Sequence, residues 1–411
     1  MNPAENPYSP GAGTPPPELT GRDDLIGQFG FAAQRLLSGV PGQSLIPVGL
    51  RGVGKTVLLN VFEREAAEQG AVVEHLEADQ EDVRPDVLAR RLRAALYQLA
   101  PQSGLGQALM LALRVVAAVR VTFAPQGVPL SFGLDVEPIK GKGDSGNLRE
   151  DFADLFVAVG EAAREHQRGV VLAIDELQYL SDDVFRALIV GLHRCAQLKL
   201  PVMAVGTGLP NIKGKAGDVK TYAERLFKFP EIGSLDSKDA ARALVAPAQR
   251  AGVTFAERAV DRVLERSQGY PYFLQEWGFG VWNTAEGPVI SQADVESASA
   301  AVQGQLDDSF FGVRMGRLTP QERQYLRRMA DLGPGPHRSS EIAEVMGMTV
   351  QQAAPLRGRL LNKGMVWSGE YGETAFTVPL FDEYLRRNVP EPAYPARKNF
   401  TSRHGPKPPG G

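Results

Sequence analysis

Residues 49–56 read Gly49-Leu50-Arg51-Gly52-Val53-Gly54-Lys55-Thr56 and fit the phosphate-binding pattern G-x-x-x-x-G-K-[ST] without a substitution. Each fixed position of this pattern answers a physical demand of a triphosphate. Glycines let backbone N–H groups approach phosphate oxygens, the lysine supplies a positive charge to the β- and γ-phosphates, and the threonine hydroxyl completes the shell of a Mg²⁺ ion. The stretch therefore predicts a nucleotide site, formed by these eight residues and Val57.

The residues around this loop have the pattern that a phosphate site requires. Residues 44–49 are a short apolar run typical of a strand, and residues 57–64 have the pattern of a helix. A helix that begins at the loop directs the positive end of its dipole at the bound anion. The alternative is an ordinary glycine turn between a strand and a helix, and the complete motif argues against it.

Length and composition describe an ordinary globular protein. The 411 residues are 43% hydrophobic and 23% charged, and the net charge of −3 gives no overall attraction to nucleic acid. A single cysteine, Cys195, excludes an internal disulfide framework. The N-terminus has no signal-peptide pattern, and the longest apolar run, near residues 108–119, contains Arg114 and is too short to span a bilayer. We expect a soluble cytoplasmic protein.

A second motif lies at Val170-Val171-Leu172-Ala173-Ile174-Asp175-Glu176, where five apolar residues precede two carboxylates. The apolar run predicts a central strand buried on both faces, and ligands bind at the carboxyl ends of such strands. We expect Asp175 to hold the Mg²⁺ shell and Glu176 to deprotonate the attacking water. Many strands end in charged loops, so the two carboxylates alone are a weak indication of a metal site. The phosphate loop upstream makes the catalytic interpretation the better one.

The interval between the two motifs bears on the fold class. Lys55 and Asp175 are 120 residues apart, and the interval contains at least one further helix–strand–helix passage. We therefore predict an α/β fold of the P-loop NTPase class with an additional strand between the phosphate-loop strand and the Asp175 strand. A later apolar run, residues 200–208, predicts another strand. It places Thr207 near the γ-phosphate, although a plain strand-to-loop threonine is nearly as good an explanation.

The C-terminal region has a pattern of its own. Residues 319–332, 340–347 and 349–364 each have helical character, and residues 365–367 and 374–378 flank a turn as a hairpin would. Three helices and a hairpin predict a winged helix-turn-helix, whose third helix normally enters the major groove of DNA. Pro355 within the third helix is a defect in that pattern.

Charge supports a contact between this region and DNA. Residues 312–411 hold 15 Lys and Arg against 9 Asp and Glu, a local net charge of +6. Arg357, Arg359 and Lys363 lie on the third helix, and we predict that they bind DNA phosphates. Winged helices also serve as protein-contact modules, so a protein partner stays open as the alternative.

The order of these features resembles that of an AAA+ or STAND-type ATPase. The features are Gly21-Arg22-Asp23, the phosphate loop, Asp175-Glu176, Thr207 and Arg225. The likeness is greatest to archaeal replication-initiator ATPases and their bacterial relatives with a C-terminal winged helix, and it covers residues 18–389. It implies ATP and Mg²⁺ as ligands, a homo-oligomer in which Arg225 reaches a neighbour's nucleotide, and catalytic roles for Lys55, Thr207 and Glu176. A surface ion pair is an equally good explanation of Arg225 alone.

The resemblance also divides the chain into regions. We expect a disordered tail at 1–18, an ATPase core at 19–234 with an insertion at 101–147, a helical lid at 235–310, a winged helix at 311–389 and a basic disordered tail at 390–411. The insertion contains two segments, 119–123 and 130–136, that could pair as a hairpin. Family lids carry a sensor arginine near a glycine, but residues 269–274 contain no Arg or Lys. The tyrosines in that stretch are best explained by packing within the lid.

The leading prediction is a nucleotide-dependent switch, in which binding and slow hydrolysis of Mg·ATP change the grip of the winged helix on double-stranded DNA. The alternative is an ATP-regulated switch that docks a protein partner and does not touch DNA. A metabolic phosphotransferase is a third possibility. The Asp175-Glu176 pair and the additional C-terminal module argue against it.

Overall fold

The computed structural model describes residues 1–11, 13–40, 42–78, 85–100, 106–123, 137–219, 223–368 and 372–390. The chain divides into two compact units, residues 1–306 and 307–411. Each unit is described by itself below. No helix among these described residues has the length and apolar character needed to cross a membrane.

A parallel sheet forms the centre of the first unit. Its strands are β1 (Ser44–Leu45), β2 (Val72–Glu77), β3 (Val170–Asp175), β4 (Val202–Gly206) and β5 (Phe227–Lys228). Strand β3 pairs with both β2 and β4, and β1 pairs with β5, which gives a three-stranded and a two-stranded group. Bridges from Val48 to Gly208 and to Glu231 join them in the order β2-β3-β4-β1-β5. Strand β4 thus lies between the phosphate-loop strand and the Asp175 strand, which confirms the prediction of an additional strand.

Helices cover this sheet and build its core. Every residue of β3 and β4 is buried, as expected of central parallel strands with helices on both faces. The helices of this part are α1 (Asp23–Leu37), α2 (Lys55–Glu68), α3 (Pro85–Leu99), α4 (Gln107–Phe123), α5 (Leu148–Glu165), α6 (Asp182–Gln197), α7 (Ile212–Val219) and α8 (Ala223–Leu226). Cys195 on α6 is buried, and its thiol donates to the carbonyl of Phe156.

The structure corrects the interpretation of the predicted insertion 101–147. Residues 119–123, expected to form one strand of a hairpin, are the last turns of helix α4. This helix places Leu109, Ala112 and Val116 in the main hydrophobic core. Valine and phenylalanine have high strand propensity, but a helical face with apolar neighbours overrides that preference. The other expected strand, 130–136, lies outside the described residues.

Four helices and a short ladder follow the core. They are α9 (Ser237–Arg250), β6 (Thr254–Phe255), α10 (Glu257–Ser267), α11 (Pro271–Thr284), β7 (Val289–Ile290) and α12 (Gln292–Gln305). Strands β6 and β7 pair in parallel. Asp236 caps α9, and Ser291 with Asp294 forms a capping box at α12. We call α9–α12 the lid. All four helices fall within residues 235–310, for which the sequence predicts a helical lid.

The predicted disordered tail at 1–18 is wrong for much of its length. The indole N–H of Trp282 donates to the carbonyl of Asn2 at 3.0 Å, and the Asn6 amide donates to the carbonyl of Phe279 at 3.0 Å. Tyr8 is only 2% exposed. Proline and glycine content indicated disorder, but one buried tyrosine and a series of polar contacts with α11 fix the segment. We call residues 2–11 and 13–20 the N-terminal arm.

The second unit combines short helices with a small antiparallel sheet. It contains a π-helical stretch ending at Gly312, α13 (Val313–Met315), α14 (Pro320–Asp331), β8 (His337–Arg338), α15 (Ser339–Val345), α16 (Val350–Asn362), β9 (Val366–Ser368), β10 (Glu373–Phe376) and α17 (Phe381–Asn388). The sheet order is β8-β10-β9. Capping boxes at Thr319 and Thr349 begin α14 and α16, at the first residues of the helical stretches that the sequence predicts. Strand β8 and helix α17 were not predicted.

Candidate functional site

The phosphate loop connects β1 to α2 with a backbone that glycine permits. Gly52 and Gly54 have φ values of 86° and 88°, in the left-handed region where side chains are strained. Helix α2 begins at Lys55, and its N-cap, Gly54, provides no side-chain cap. The first N–H groups of α2 therefore keep their capacity to bind an anion. Val57 lies in the first turn of the same helix.

Lys55 is held inside this loop. It is 6% exposed, and its Nζ donates to the carbonyls of Gly49 at 3.2 Å and Leu50 at 3.1 Å. Burial lowers the pKa of the ammonium, while the carboxylates of Glu176 and Asp175 act in the opposite direction. A buried cation bonded only to neutral carbonyls in this way is a strong attractor for phosphate oxygens.

Thr56, Asp175 and Thr207 converge at the ends of α2, β3 and β4. The Thr56 Oγ1 donates to Asp175 Oδ2 at 2.6 Å, and the Thr207 hydroxyl donates to Asp175 Oδ1. Asp175 and Thr207 are both buried. Hydroxyl and carboxylate oxygens suit Mg²⁺, which binds few protein ligands and keeps several waters. The described residues contain no group of three or more His, Cys, Asp or Glu able to hold a metal.

Glu176 follows Asp175 in an unusual backbone conformation. Its φ is 54° and its ψ 45°, a left-handed conformation that costs energy for a residue with a side chain. The Glu176 N–H donates to Asp175 Oδ1 at 2.9 Å. The Gln178 amide donates to the Glu176 carboxylate, and Gln178 Oε1 accepts from the N–H of Leu209 at 3.0 Å. Gln178 was missed in the sequence, although its position two residues after the carboxylate pair was a usable signal.

The lid meets the phosphate loop at the start of α11. The Tyr272 N–H donates to the carbonyl of Gly52 at 3.2 Å, and the Tyr270 hydroxyl donates to the carbonyl of Arg51. The Tyr270 ring also packs on Phe273, with centroids 5.0 Å apart. Packing within the lid is thus only part of the role of these tyrosines. They also contact the main chain of the phosphate loop. The tyrosines lie in residues 269–274, which contain no arginine.

Arg51 and Arg225 occupy different environments. Arg51 donates to the Tyr179 hydroxyl at 2.6 Å, while its buried Nε has no hydrogen-bond partner among the described residues. Arg225 lies exposed on α8, and its carbonyl accepts from the Gln43 amide at 2.9 Å. The role of Arg225 toward a neighbouring subunit stays a prediction, because it depends on a second copy of the chain.

The three cations predicted to bind DNA make contacts within the C-terminal unit. Arg357 donates to the hydroxyls of Thr374 and Ser368, both at 2.7 Å. Arg359 and Lys363 form ion pairs with Glu322, at 3.2 and 2.7 Å. The structure thus assigns these cations to joining α16 with α14 and the sheet, which the sequence interpretation did not foresee. Helical spacing could not reveal it, because the partners lie on other elements. Their DNA-binding role stays a prediction.

Glu322 is the centre of this ion-pair cluster, and its titration should govern the stability of the unit. The carboxylate is fully buried and also accepts from the Thr319 N–H at 2.9 Å. Burial raises the pKa, but hydrogen bonds from Lys363 and Thr319 outweigh it and lower the pKa to about 2. Because the folded pKa is below the unfolded value of about 4.3, this stabilisation is complete above pH of about 4.3 and is lost as the pH falls toward 2.

We expect Glu322→Gln to reduce the free energy of unfolding of the C-terminal unit by about 2 kcal/mol at neutral pH. Arg359 and Lys363 are partly exposed, so water recovers part of the loss. The matched control is Glu341→Gln, which removes an exposed capping-box carboxylate from α15. Urea unfolding of the wild type and of both variants at pH 7 and at pH 3 measures the free energy of unfolding that each substitution removes. Equal losses for the two variants would contradict the assignment.

Comparison with known proteins finds a domain family similar to the first unit. Residues 18–205 match the family described as AAA ATPase domain, and residues 308–385 match a domain family of unknown function. No curated protein sequence matches the chain. The Walker-type ATPase of Pyrococcus abyssi is similar in structure, with a TM-score of 0.55 and 16% identity over 91% of this chain and 98% of that chain.

Two further structures align over similar lengths. The RuvB Holliday junction branch migration motor of Thermotoga maritima gives a TM-score of 0.45 at 14% identity, covering 90% of this chain and 96% of that one. The Orc1 protein of Aeropyrum pernix in complex with DNA gives 0.44 at 16% identity, covering 90% and 93%. Of these three structures, the Pyrococcus ATPase has a TM-score above 0.5, and the fold comparison rests on it. Together with the family match, it shows a P-loop NTPase fold of the AAA+ type.

Proposed function

We propose that the first unit binds Mg·ATP and hydrolyses it, and that the nucleotide state controls how the C-terminal unit binds a partner. The observation that carries the proposal is the convergence of Lys55, Thr56, Asp175, Glu176 and Thr207 at the phosphate loop. These residues come from α2, β3 and β4 and its following loop, and hydrogen bonds link four of them. Such convergence supports a triphosphate site rather than an ordinary glycine turn.

Each residue has a role in this proposal. Lys55 and the N–H groups of the loop bind the β- and γ-phosphates. Thr56 and Asp175 would hold Mg²⁺, which when bound neutralises the charge of the triphosphate. Glu176 accepts a proton from the attacking water, and Thr207 positions that water or the γ-phosphate. Gln178 forms hydrogen bonds with both the Glu176 carboxylate and the N–H of Leu209. It therefore holds the carboxylate at a fixed position relative to the loop after β4.

An exposed surface formed by the first turns of α16 and the residue Met348 before it supports a protein partner for the C-terminal unit. Met348 and Val350 are 39% and 47% exposed, and Gln351, Ala354 and Pro355 are exposed beside them. None of these side chains is charged, whereas a helix that docks in the major groove is normally accompanied by cations directed at phosphates. Exposed apolar side chains in one patch are typical of protein contacts. We therefore favour an ATP-regulated protein-interaction switch.

DNA binding is the second candidate, and two observations favour it. The sequence of residues 312–411 has a local net charge of +6. The helices α14, α15 and α16 followed by an antiparallel sheet are in the order expected of a winged helix. In this candidate the cations outside the Glu322 cluster supply the contacts to phosphate.

One binding experiment tests both parts. A fluorescent ATP analogue is titrated into the purified protein with Mg²⁺ and with EDTA, and saturable, Mg²⁺-enhanced binding is expected. Anisotropy of a labelled duplex DNA is then measured without nucleotide, with ADP and with a non-hydrolysable ATP analogue at two salt concentrations. The protein-partner proposal expects no nucleotide-dependent DNA binding. Salt-sensitive binding that differs between ADP and the analogue would replace it with the DNA switch.

A further inference from the structure

The N-terminal arm is fastened to the lid at two separate places. The first is Tyr8, whose hydroxyl donates to the carbonyl of Leu244 on α9 and whose ring lies on α11. A Cβ atom at Gly278 would lie 2.6 Å from that ring, so the glycine makes room for the tyrosine. The Ser9 N–H donates to Gln275 Oε1 at 3.3 Å, closer to the start of α11. The arm therefore follows α11 toward the end that meets the phosphate loop.

The second attachment lies at residues 17–20. Glu18 forms ion pairs with Arg242 and Arg250 of α9, both at 2.8 Å. Arg250 also donates to the carbonyl of Pro17 at 2.7 Å, and the Thr20 hydroxyl donates to Asp239 at 2.6 Å. Both ends of the arm are thus held by lid helices.

Gly13, between these two attachments, lies close to the phosphate loop. A Cβ atom at Gly13 would lie 3.5 Å from the Cγ2 atom of Thr56, which is van der Waals distance. Gly13 has a φ of 70°, a turn conformation that glycine adopts without strain. Gly13 of the arm thus lies next to the residue that the proposed site assigns to Mg²⁺, while α11 contacts the loop through Tyr272 and Gly52.

We propose that the N-terminal arm is a clamp on the nucleotide site. The arm links the lid to the Thr56 side of the phosphate loop. It therefore covers bound Mg·nucleotide, and it must detach before the nucleotide can leave. The proposal rests on the proposed function, because it assumes that the phosphate loop binds a nucleotide. It adds a part of the site that lies outside the P-loop and carboxylate motifs, and it predicts slow nucleotide release.

The test is the dissociation rate of a fluorescent ADP or ATP analogue, measured by stopped-flow displacement with excess unlabelled nucleotide. Tyr8→Ala removes the main apolar attachment and should accelerate release at least about tenfold. Tyr8→Phe keeps the ring and loses only the hydroxyl bond, so its acceleration should be smaller. Tyr97→Ala is the matched control, because this tyrosine is 36% exposed on α3, away from the lid.

A second variant keeps the test valid if Tyr8→Ala fails to fold. Gly278→Ala leaves the arm intact and displaces the Tyr8 ring with a methyl group, so it should also accelerate release. Chymotrypsin digestion provides a readout that does not depend on nucleotide release. Tyr8 is the only aromatic residue before Phe29, so cleavage after an aromatic residue in this part of the sequence reports on Tyr8. Cleavage after Tyr8 should be slow in the wild type, slower still with Mg·nucleotide, and fast in Gly278→Ala.

The outcomes separate the clamp from the function on which it rests. If the wild-type protein binds no nucleotide, the proposed function fails. If it binds nucleotide but folded Tyr8→Ala and Gly278→Ala release it at the wild-type rate, the clamp alone is overturned. Faster release by both variants, with Tyr97→Ala unchanged, supports the clamp.

Discussion

Replacing Lys55 by alanine should weaken ATP binding about 100-fold or more, a loss of about 3 kcal/mol, without unfolding the protein. The Nζ of Lys55 is buried at the loop and bonded to the carbonyls of Gly49 and Leu50. Phosphate oxygens would exchange these neutral partners for anionic ones, so the gain on binding is large. In the protein without ligand the same buried charge is costly, and its removal should leave the free energy of unfolding unchanged or raised.

The control for this variant is Lys213→Ala. Lys213 lies on α7 and pairs with the exposed carboxylate of Glu231, so its loss removes one positive charge from the same unit without touching the loop. Binding is measured by titration of the fluorescent ATP analogue, and folding by a thermal melt. Undiminished binding by folded Lys55→Ala would show that the phosphate loop does not bind ATP and would remove the basis of the proposed function.

Replacing Glu176 by glutamine should reduce kcat for ATP hydrolysis at least about 100-fold and leave the dissociation constant for ATP within about threefold. The amide has nearly the shape of the carboxylate and can keep a hydrogen bond with Gln178. It has lost the capacity to accept a proton from water. Because the change affects only the transition state, the loss should appear in kcat rather than in binding.

Glu77→Gln provides the matched comparison for Glu176→Gln. Glu77 ends β2 and lies opposite Asp175 in the strand register, but it is exposed. Phosphate release and analogue binding are measured for both variants. Equal hydrolysis by the wild type and Glu176→Gln would exclude this carboxylate as the base. A shift in ATP affinity that matches the loss of rate would assign it to binding instead.

Much of the core and its site could be predicted because local sequence patterns demanded them. The glycine spacing of residues 49–56 and the apolar run before Asp175 each define a strand end and the chemistry beside it. An additional strand between the phosphate-loop strand and the Asp175 strand was predicted from the 120-residue interval between Lys55 and Asp175. The strand in that position is β4, which follows Asp175 in the chain, whereas β2, the strand within the interval, lies on the other side of β3. The two motifs are short-range signals, and the physical demand of a phosphate ligand restricts the residue types that satisfy them.

The parts that sequence reasoning missed depend on contacts between distant positions. Tyr8 is one aromatic residue in a proline- and glycine-rich segment. Its burial depends on the space left by Gly278, about 270 residues later in the chain. The sequence presents Arg359 and Lys363 as a basic helical face, yet the carboxylate that binds them lies on α14, about 40 residues earlier in the chain. Composition and periodicity describe one element at a time, so neither pairing could be derived from them.

The left-handed backbone of Glu176 sets the base candidate apart from ordinary surface carboxylates. Glycine at this position would relieve a conformational cost of about 1 kcal/mol, and any residue with a Cβ atom retains most of it. Selection for stability alone would therefore favour loss of this side chain, whereas selection for hydrolysis opposes it. Thermal stability and turnover therefore place opposite demands on position 176. A screen for stabilising substitutions at this position should return inactive proteins.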